Sequence, residues 1–519
     1  MEDPQQPLTN EPDLGDTIKE VPFFKKKSFI ILLVSIIVVI IIVALIIIFV
    51  VGKKDENEGK KDEEEKDEKK YSFKAIYEIK SDNENIDLIN QLPHKEQNYS
   101  QITEMKINGE KINPTTNYTF TSKGNYTVFF LINISDADSL SRMFSGIKNL
   151  VSISFYQKFN TNKIKYMDYM FGNCESLSNI DISYFNTENV IAMDRMFSSC
   201  PSLASINLQK LNFNNLETIE YMFYSSGLKS ADFSNINFPK LKKMNYLFMD
   251  STNLENVNLS SMKIPNLVEM HNLFLRCSSI TSIDLSNIDA SKVEYMTSMF
   301  SGCGALTNLN LKNFKTENVK VMHNIFNGCS SLTSLDISSL ITKNVESMEK
   351  MFYQCSALIS LDLSNFDTSN TKSTRNMFSY CSSLKYLNIG SFNTINVQIM
   401  NSMFLHCSSL ISLNVSNFNT SSVTSMQSIF SHCNTLTSLD LSSFTNDKVT
   451  FAEEMFFNSS KLTYIDIRRF KGPENKFSQM FKGLPDNIGK IVINSDVLNI
   501  VQNLLPQNWS IETINITNI

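Results

Sequence analysis

From residue 141 onward the apolar and polar positions follow one order that returns about every 26 residues. In "SLTSLDISSL", Leu332, Leu335 and Ile337 alternate with Ser334, Asp336 and Ser338. That two-residue period predicts a short strand with one face inward. In "NVESMEKMF", Val345, Met348, Met351 and Phe352 recur at three- and four-residue steps. Such steps predict one apolar face of a single helical or 3-10 turn, returning along the opposite side. The Thr of "FDTSNT" and "FNTINV" (Thr368, Thr394) stands where it would cap that turn.

One residue marks each unit. A Phe, usually in a Met-Phe doublet, falls at 144, 171, 197, 223, 248, 274, 300, 326, 352, 378, 404, 430, 456 and 481, with eight successive intervals of 26. The consensus is M-F-x-x-C-x-S-L-x-x-L-D-L-S-x-F-x-T-x-x-V-x-x-M-x-x. A period of 20–29 residues carrying L-x-x-L-x-L is the signature of a leucine-rich-repeat solenoid. One coil cannot bury its apolar face alone, whereas stacked coils share a core. The expected fold class is therefore an α/β repeat: a curved solenoid over 141–484, with a parallel concave sheet and short helical or 3-10 turns on the convex side. At a strand spacing of about 4.8 Å, the stack would run roughly 65 Å.

The flanks differ in pattern. Residues 1–27 are polar and proline-bearing, which predicts a disordered tail. "SFIILLVSIIVVIIIVALIIIFVV", residues 28–51, holds no charge and is long enough for a helix across a bilayer of about 30 Å. It exceeds the usual apolar core of a cleaved signal peptide and lacks a small-x-small site behind it, so it reads as an uncleaved signal anchor. Residues 52–70 interleave Lys with Asp and Glu, a solvated stalk. Lysines flank both ends of the span, but those behind it are balanced by acids, which favours a type II topology with a cytoplasmic N-terminus. Residues 71–140 predict a small β domain. "MKINGEKI" turns at Asn108-Gly109, and "YTFTSKGNYTVFFLI" predicts a second hairpin turning at Ser122-Lys123-Gly124. After Phe481, residues 485–519 supply a last rung at Ile491 and Ile493, a helix-like piece and the single tryptophan, Trp509, as a terminal cap.

Composition narrows the function. A net charge of -6 gives no reason to expect a nucleic-acid partner, and 15 glycines in 519 residues argue against phosphate-cradling loops. No G-x-S-x-G, P-loop or H-E-x-x-H motif stands out, and no cofactor is expected. Cys277, Cys303, Cys329, Cys355, Cys381, Cys407 and Cys433 are 26 residues apart, as are Cys174 and Cys200. Ser226, Ser251 and Ser459 replace the cysteine elsewhere, which neither a nucleophile nor a zinc ligand would survive. Buried structural thiols fit best, with disulfides between adjacent coils left open by the spacing.

The outward central strand position is always Asp or Asn from the second unit on. It reads Asp181, Asn207, Asp232, Asn258, Asp284, Asn310, Asp336, Asp362, Asn388, Asn414, Asp440 and Asp466, with Ser commonly two residues on. The strip suits glycans, basic protein patches or divalent cations; equally, it is a hydrated face whose Asn and Asp bond between rungs. Lys312, Tyr386, Tyr464 and Arg468 are its bulkier departures. His406 and His432 share a repeat position and are placed to stack, with no third metal ligand in sight. Asn-x-Ser/Thr sequons occur at Asn98, Asn117, Asn125, Asn133, Asn258, Asn414, Asn419, Asn458, Asn508 and Asn515.

The unit "MFYQCSALISLDLSNFDTSN" resembles the repeat of BspA-like leucine-rich-repeat surface proteins and of related mycoplasma and protist surface proteins. The resemblance covers about residues 141–484, and the segment carrying the two hairpins is similar to the one preceding such arrays in protist members. It implies cell-surface display and adhesion or binding of a host or partner, with no enzymatic activity. The chain departs from the secreted bacterial members in its N-terminal anchor. The expectation is a single-pass plasma-membrane protein that binds a protein or glycan ligand through the concave face. An intracellular or endomembrane interaction scaffold is the alternative, and a carbohydrate-active enzyme a remote one, since two carboxylates in unlike environments are missing.

Overall fold

The computed structural model describes residues 42–43, 66–67, 69–90 and 102–515. The chain divides into two compact units, Met1–Asp67 and Glu68–Ile519. In the first, Ile42, Val43, Lys66 and Asp67 are helical. The expected tail lies outside the described residues, as do most of the apolar span and of the charged stalk. Among the described residues no helix is long and apolar enough to cross a membrane.

The second unit begins with antiparallel strands β1 (Phe73–Ile79), β2 (Glu84–Asp87), β3 (Ile102–Ile107), β4 (Glu110–Ile112), β5 (Asn117–Phe120) and β6 (Gly124–Ile132). Asn108 and Gly109 both take positive φ, 45° and 96°, and join β3 to β4 by a two-residue turn. The second expected hairpin does not form. β5 pairs with β2, while β6 pairs with β1 along Gly124–Phe130 and with β3 over Val128–Ile132.

β1 also pairs antiparallel with β7 (Leu150–Phe155), and β7 pairs parallel with β8 (Asn179–Asp181). The order β4-β3-β6-β1-β7-β8 thus carries one sheet from the antiparallel domain into the coils. Phe73 packs on Phe130, Phe144 and Phe155 at 4.7, 5.5 and 5.3 Å between ring centroids, so the two parts share a core.

The coils that follow form a parallel β-solenoid. Three-residue strands pair in register one repeat apart, as Ser282–Asp284 with Asn308–Asn310 and Ser360–Asp362 with Tyr386–Asn388. Inside, the fourteen marker phenylalanines stack in one file. Neighbouring rings lie near-parallel, from 5.2 Å between Phe144 and Phe171 to 6.0 Å between Phe456 and Phe481.

The return side is not helical. In the coil around Phe300, the amides of Ser298, Phe300 and Gly302 donate to the carbonyls of His323, Ile325 and Asn327 in the next coil, at 3.0, 2.9 and 2.7 Å. The intervening amides of Ser301 and Cys303 reach back three residues, to Ser298 and Phe300, at 3.2 and 3.1 Å. Ser298 and Gly302 are left-handed, φ 54° and 75°, and pairs such as Lys350 and Gln354 repeat this four residues apart. A helix needs every φ negative and every amide bonded within its own segment. Here two left-handed residues per coil make successive β-turns, and alternate amides cross to the neighbour. Val345, Met348, Met351 and Phe352 are buried as expected, on turns rather than on a helical face. Among the described residues no non-glycine residue at positive φ is β-branched, which fits the steric cost of that region.

The threonines are also reassigned. Thr368 and Thr394 are buried, and they bond the backbone of the next coil instead of capping their own turn. At the far end, two further parallel rungs, Gly489–Asn494 and Trp509–Ile514, flank the short helix Leu498–Val501. The second rung was not expected, although the alternation of Trp509, Ile511 and Thr513 with polar partners is its signal. The Trp509 ring lies where a Cβ on residue 489 would stand, so Gly489 admits it, and its indole N–H donates to Pro485 O at 3.0 Å.

Candidate functional site

The strand-face column is built by a local rule. Every Asp or Asn in it, from Asp181 to Asp466, accepts through Oδ1 the backbone N–H two residues on, at 2.8 to 3.3 Å. Only a short side chain ending in an acceptor closes such an Asx turn. The residue type is therefore set by the coil, and one oxygen or amide of each side chain is left over from the turn. Cross-rung bonds run from Asn388 Nδ2 to Asp362 Oδ1, 2.9 Å, and between the Asn310 and Asp284 side chains. The Ser338 hydroxyl and amide hold the Asp336 carboxyl below its usual range, and those of Ser442 do the same for Asp440.

The bulkier departures fall into two groups. Tyr386 stands 60% exposed beside Ser360, with Ile359 and Ile411 exposed nearby in the adjoining coils. Lys312 is exposed, its amide closing the Asn310 turn. Asp466, by contrast, is buried at 1% exposure and held in an ion pair by Arg468, so these two expected ligand residues engage each other. Tyr464 is partly buried beside them. Asp284, Asn310, Asp336, Asp362, Asn388, Asn414 and Asp440 form the accessible strip, Asn310 being half-buried and the rest exposed. Of the sequon asparagines, Asn98 lies outside the described residues and the other nine are exposed.

All nine cysteines are free and buried. Each thiol points at the carbonyl of the marker Phe one coil back: Cys303 Sγ to Phe274 O at 3.1 Å, Cys329 to Phe300 O at 3.2 Å, Cys381 to Phe352 O at 3.0 Å. Where serine substitutes, two of three keep the bond, from Ser251 to Phe223 O at 2.6 Å and from Ser459 to Phe430 O at 2.8 Å, while the Ser226 hydroxyl pairs with that of Ser251 at 3.1 Å. The position selects a small side chain with a donor. Size alone, the property read from the sequence, misses this; the Cys-to-Ser exchange was its signal. Burial pushes the Cys303 and Cys355 thiols up to about 12, which removes thiolate character.

On the turn side His406 and His432 are in contact, ring centroids 4.0 Å apart, but tilted by 56° instead of stacked as expected; it is Tyr380 that stacks on His406, at 4.7 Å. Burial lowers both imidazole pKa values, and for His406 the neighbouring His432 adds to it. Among the described residues no three His, Cys, Asp or Glu side chains gather as a metal site.

No curated protein matches the chain. Among solved structures, the functional domain of InlJ from Listeria monocytogenes, described as including a cysteine ladder, is 13% identical over 76% of this chain and 76% of that one, with a TM-score of 0.21. The TLR13–ssRNA13 complex is 12% identical over 69% of this chain and 62% of that one, with a TM-score of 0.13. The model of a mycoplasma family of unknown function matches residues 138–262, 268–387 and 372–491, which together cover more than half of the sequence. The chain therefore belongs to the family described as "Mycoplasma protein of unknown function, DUF285".

Proposed function

We propose that this is a surface-displayed recognition protein of the BspA-like type, anchored through residues 28–51 with its coils outside the cell. It binds a protein or glycan ligand on another cell, a host or a matrix through the strand face. One observation carries the reading: a column of Asp and Asn held in one repeated turn, whose exposed members Asp336, Asp362, Asn414 and Asp440 keep a second polar atom for a ligand. A row of rigidly held carboxylate acceptors and amide donors is preorganised for binding, because its members lose little freedom when a ligand arrives. The exposed carboxylates Asp284, Asp336, Asp362 and Asp440 share one turn geometry, which offers no unlike pair of the kind acid–base hydrolysis uses.

The test is protease accessibility on intact cells carrying a C-terminal tag, with glycosidase treatment alongside. Cleavage without permeabilisation, together with a mobility shift, is the expected result. A protected, unglycosylated tag would overturn surface display. It would favour a second reading, an interaction scaffold facing a reducing compartment, which the nine free thiols support.

A further inference from the structure

Beside the Tyr380–His406 stack the turn side opens into a groove of about 390 Å³. One wall is the file of residues just before each cysteine: Gly328, Gln354, Tyr380 and His406. The floor is the file just after it: Ser330, Ser356, Ser382 and Ser408. Each file steps once per coil, so the groove follows the solenoid axis over four coils, about 14 Å at the spacing of paired strands.

Three properties narrow what fits. No lining residue is Asp, Glu, Lys or Arg, and burial, with the neighbouring His432, lowers the pKa of the His406 imidazole. Phosphates, acidic peptides and nucleic acids would find no counter-charge here. Next, three of the four floor hydroxyls spend their protons on the preceding coil. Ser330 donates to Gly304 O at 3.3 Å, Ser382 to Ser356 O at 3.4 Å and Ser408 to Ser382 O at 3.2 Å. These three oxygens are left as acceptors, and a ligand bonding them must bring donors. Finally, Tyr380 and His406 stack on each other, 16° from parallel with ring centroids 4.7 Å apart, and give the wall an aromatic rim, while Gly328 leaves one end of the same file without a side chain. A ligand with many hydroxyl donors, no charge and apolar C–H surface for that rim is a pyranose chain.

We propose that this groove is a binding site for a neutral oligosaccharide lying along the coils, with one sugar ring packed against Tyr380 and hydroxyls donating to Ser382 and Ser408. It is a different face from the Asp/Asn strip, and it holds whether or not the strip binds a partner.

The experiment is calorimetric titration of the full chain with malto-, cello-, chito- and manno-hexaose. Tyr380→Asn removes the ring while tolerating the left-handed backbone there, φ 63°. Ser382→Leu fills the floor without touching the ring. Tyr166→Ala, an equally exposed tyrosine elsewhere, is the control. We expect at least one series to bind, affinity to fall about ten-fold or more in both groove variants and to hold in the control. Bound sugar should also shield His406 from carbethoxylation, while His271 and His323 react as before. The proposal is overturned if none of the four sugars binds at millimolar concentration, or if binding survives either groove substitution.

Discussion

The Thr368 hydroxyl donates to the Asn393 carbonyl at 2.9 Å and accepts from the Asn393 amide at 2.8 Å. One buried oxygen thus satisfies both backbone groups of a residue in the next coil. Thr342 does the same to Asp367 and Thr394 to Asn419. Where the file switches to Asn446, the amide side chain reproduces both bonds to Lys471. Thr368→Val keeps the shape and removes both partners. Leaving two half-buried backbone groups without this partner should cost about 1–3 kcal/mol, against under about 1 kcal/mol for Thr368→Ser. Urea unfolding measures the total, and faster hydrogen exchange at the Asn393 amide would localise it. Equal stability of the Val and Ser variants would refute the role.

Cys303 gives a second test. Cys303→Ser should retain the bond to Phe274 O, as Ser251 and Ser459 do in their coils. Cys303→Val removes the donor and adds volume to a close-packed file, costing about 2–3 kcal/mol. In the native protein the nine thiols should resist Ellman's reagent and react together on unfolding. The Cys303 pKa is raised from 9.0 to about 12, so its contribution is complete below about 9 and is lost as pH rises towards 12. Stability should accordingly fall on the alkaline side, and less steeply in Cys303→Ser.

Asp336 separates structure from binding on the strand face. Its Oδ1 accepts the Ser338 amide at 3.0 Å. Asp336→Asn keeps that acceptor and removes the charge, so thermal unfolding should hardly change. Asp336→Ala opens the turn and should cost about 1 kcal/mol. A cationic or cation-dependent ligand would lose affinity in both variants. A ligand lost only in the Ala variant would be reading turn geometry instead of charge.

Asp194 predicts a pH effect in the N-terminal coils. Burial, and then the neighbouring Asp168 and Glu220 carboxylates, raise its pKa from 3.8 to about 6, against bonds from the Thr218 hydroxyl at 2.6 Å and the Glu220 amide at 2.7 Å. For a raised pKa the group's stabilising contribution is full below about 3.8 and is lost as pH rises through about 6. Asp194→Asn should therefore raise stability at pH 7 by about 1–2 kcal/mol and give no gain near pH 4. Asn245, two coils on, shows that an amide accepts the equivalent bond, from the His271 amide at 2.8 Å. Paired thermal melts at the two pH values decide it; a gain that does not shrink in acid would exclude the ionisation account.

The order of apolar and polar residues, taken alone, determined the period, the strand at Leu332 to Ile337, the burial of Phe352 and Cys355, and the turn at Asn108-Gly109. These are legible because a linear pattern records which side chains face inward and which short turns need positive φ. Tertiary structure alone decided where the backbone amides go. Val345, Met348, Met351 and Phe352 have the same spacing on a helix and on two β-turns, and only the left-handed Lys350 and Gln354 tell them apart. The partners of Thr368 and Cys303, 25 and 29 residues away, and the pairing of β5 with β2 instead of β6 are likewise set between segments. So is the neutral groove, which exists only because files of residues 26 apart come to lie side by side. Such choices depend on which neighbour can satisfy a buried polar group, and that is a property of the stack rather than of any one stretch of chain.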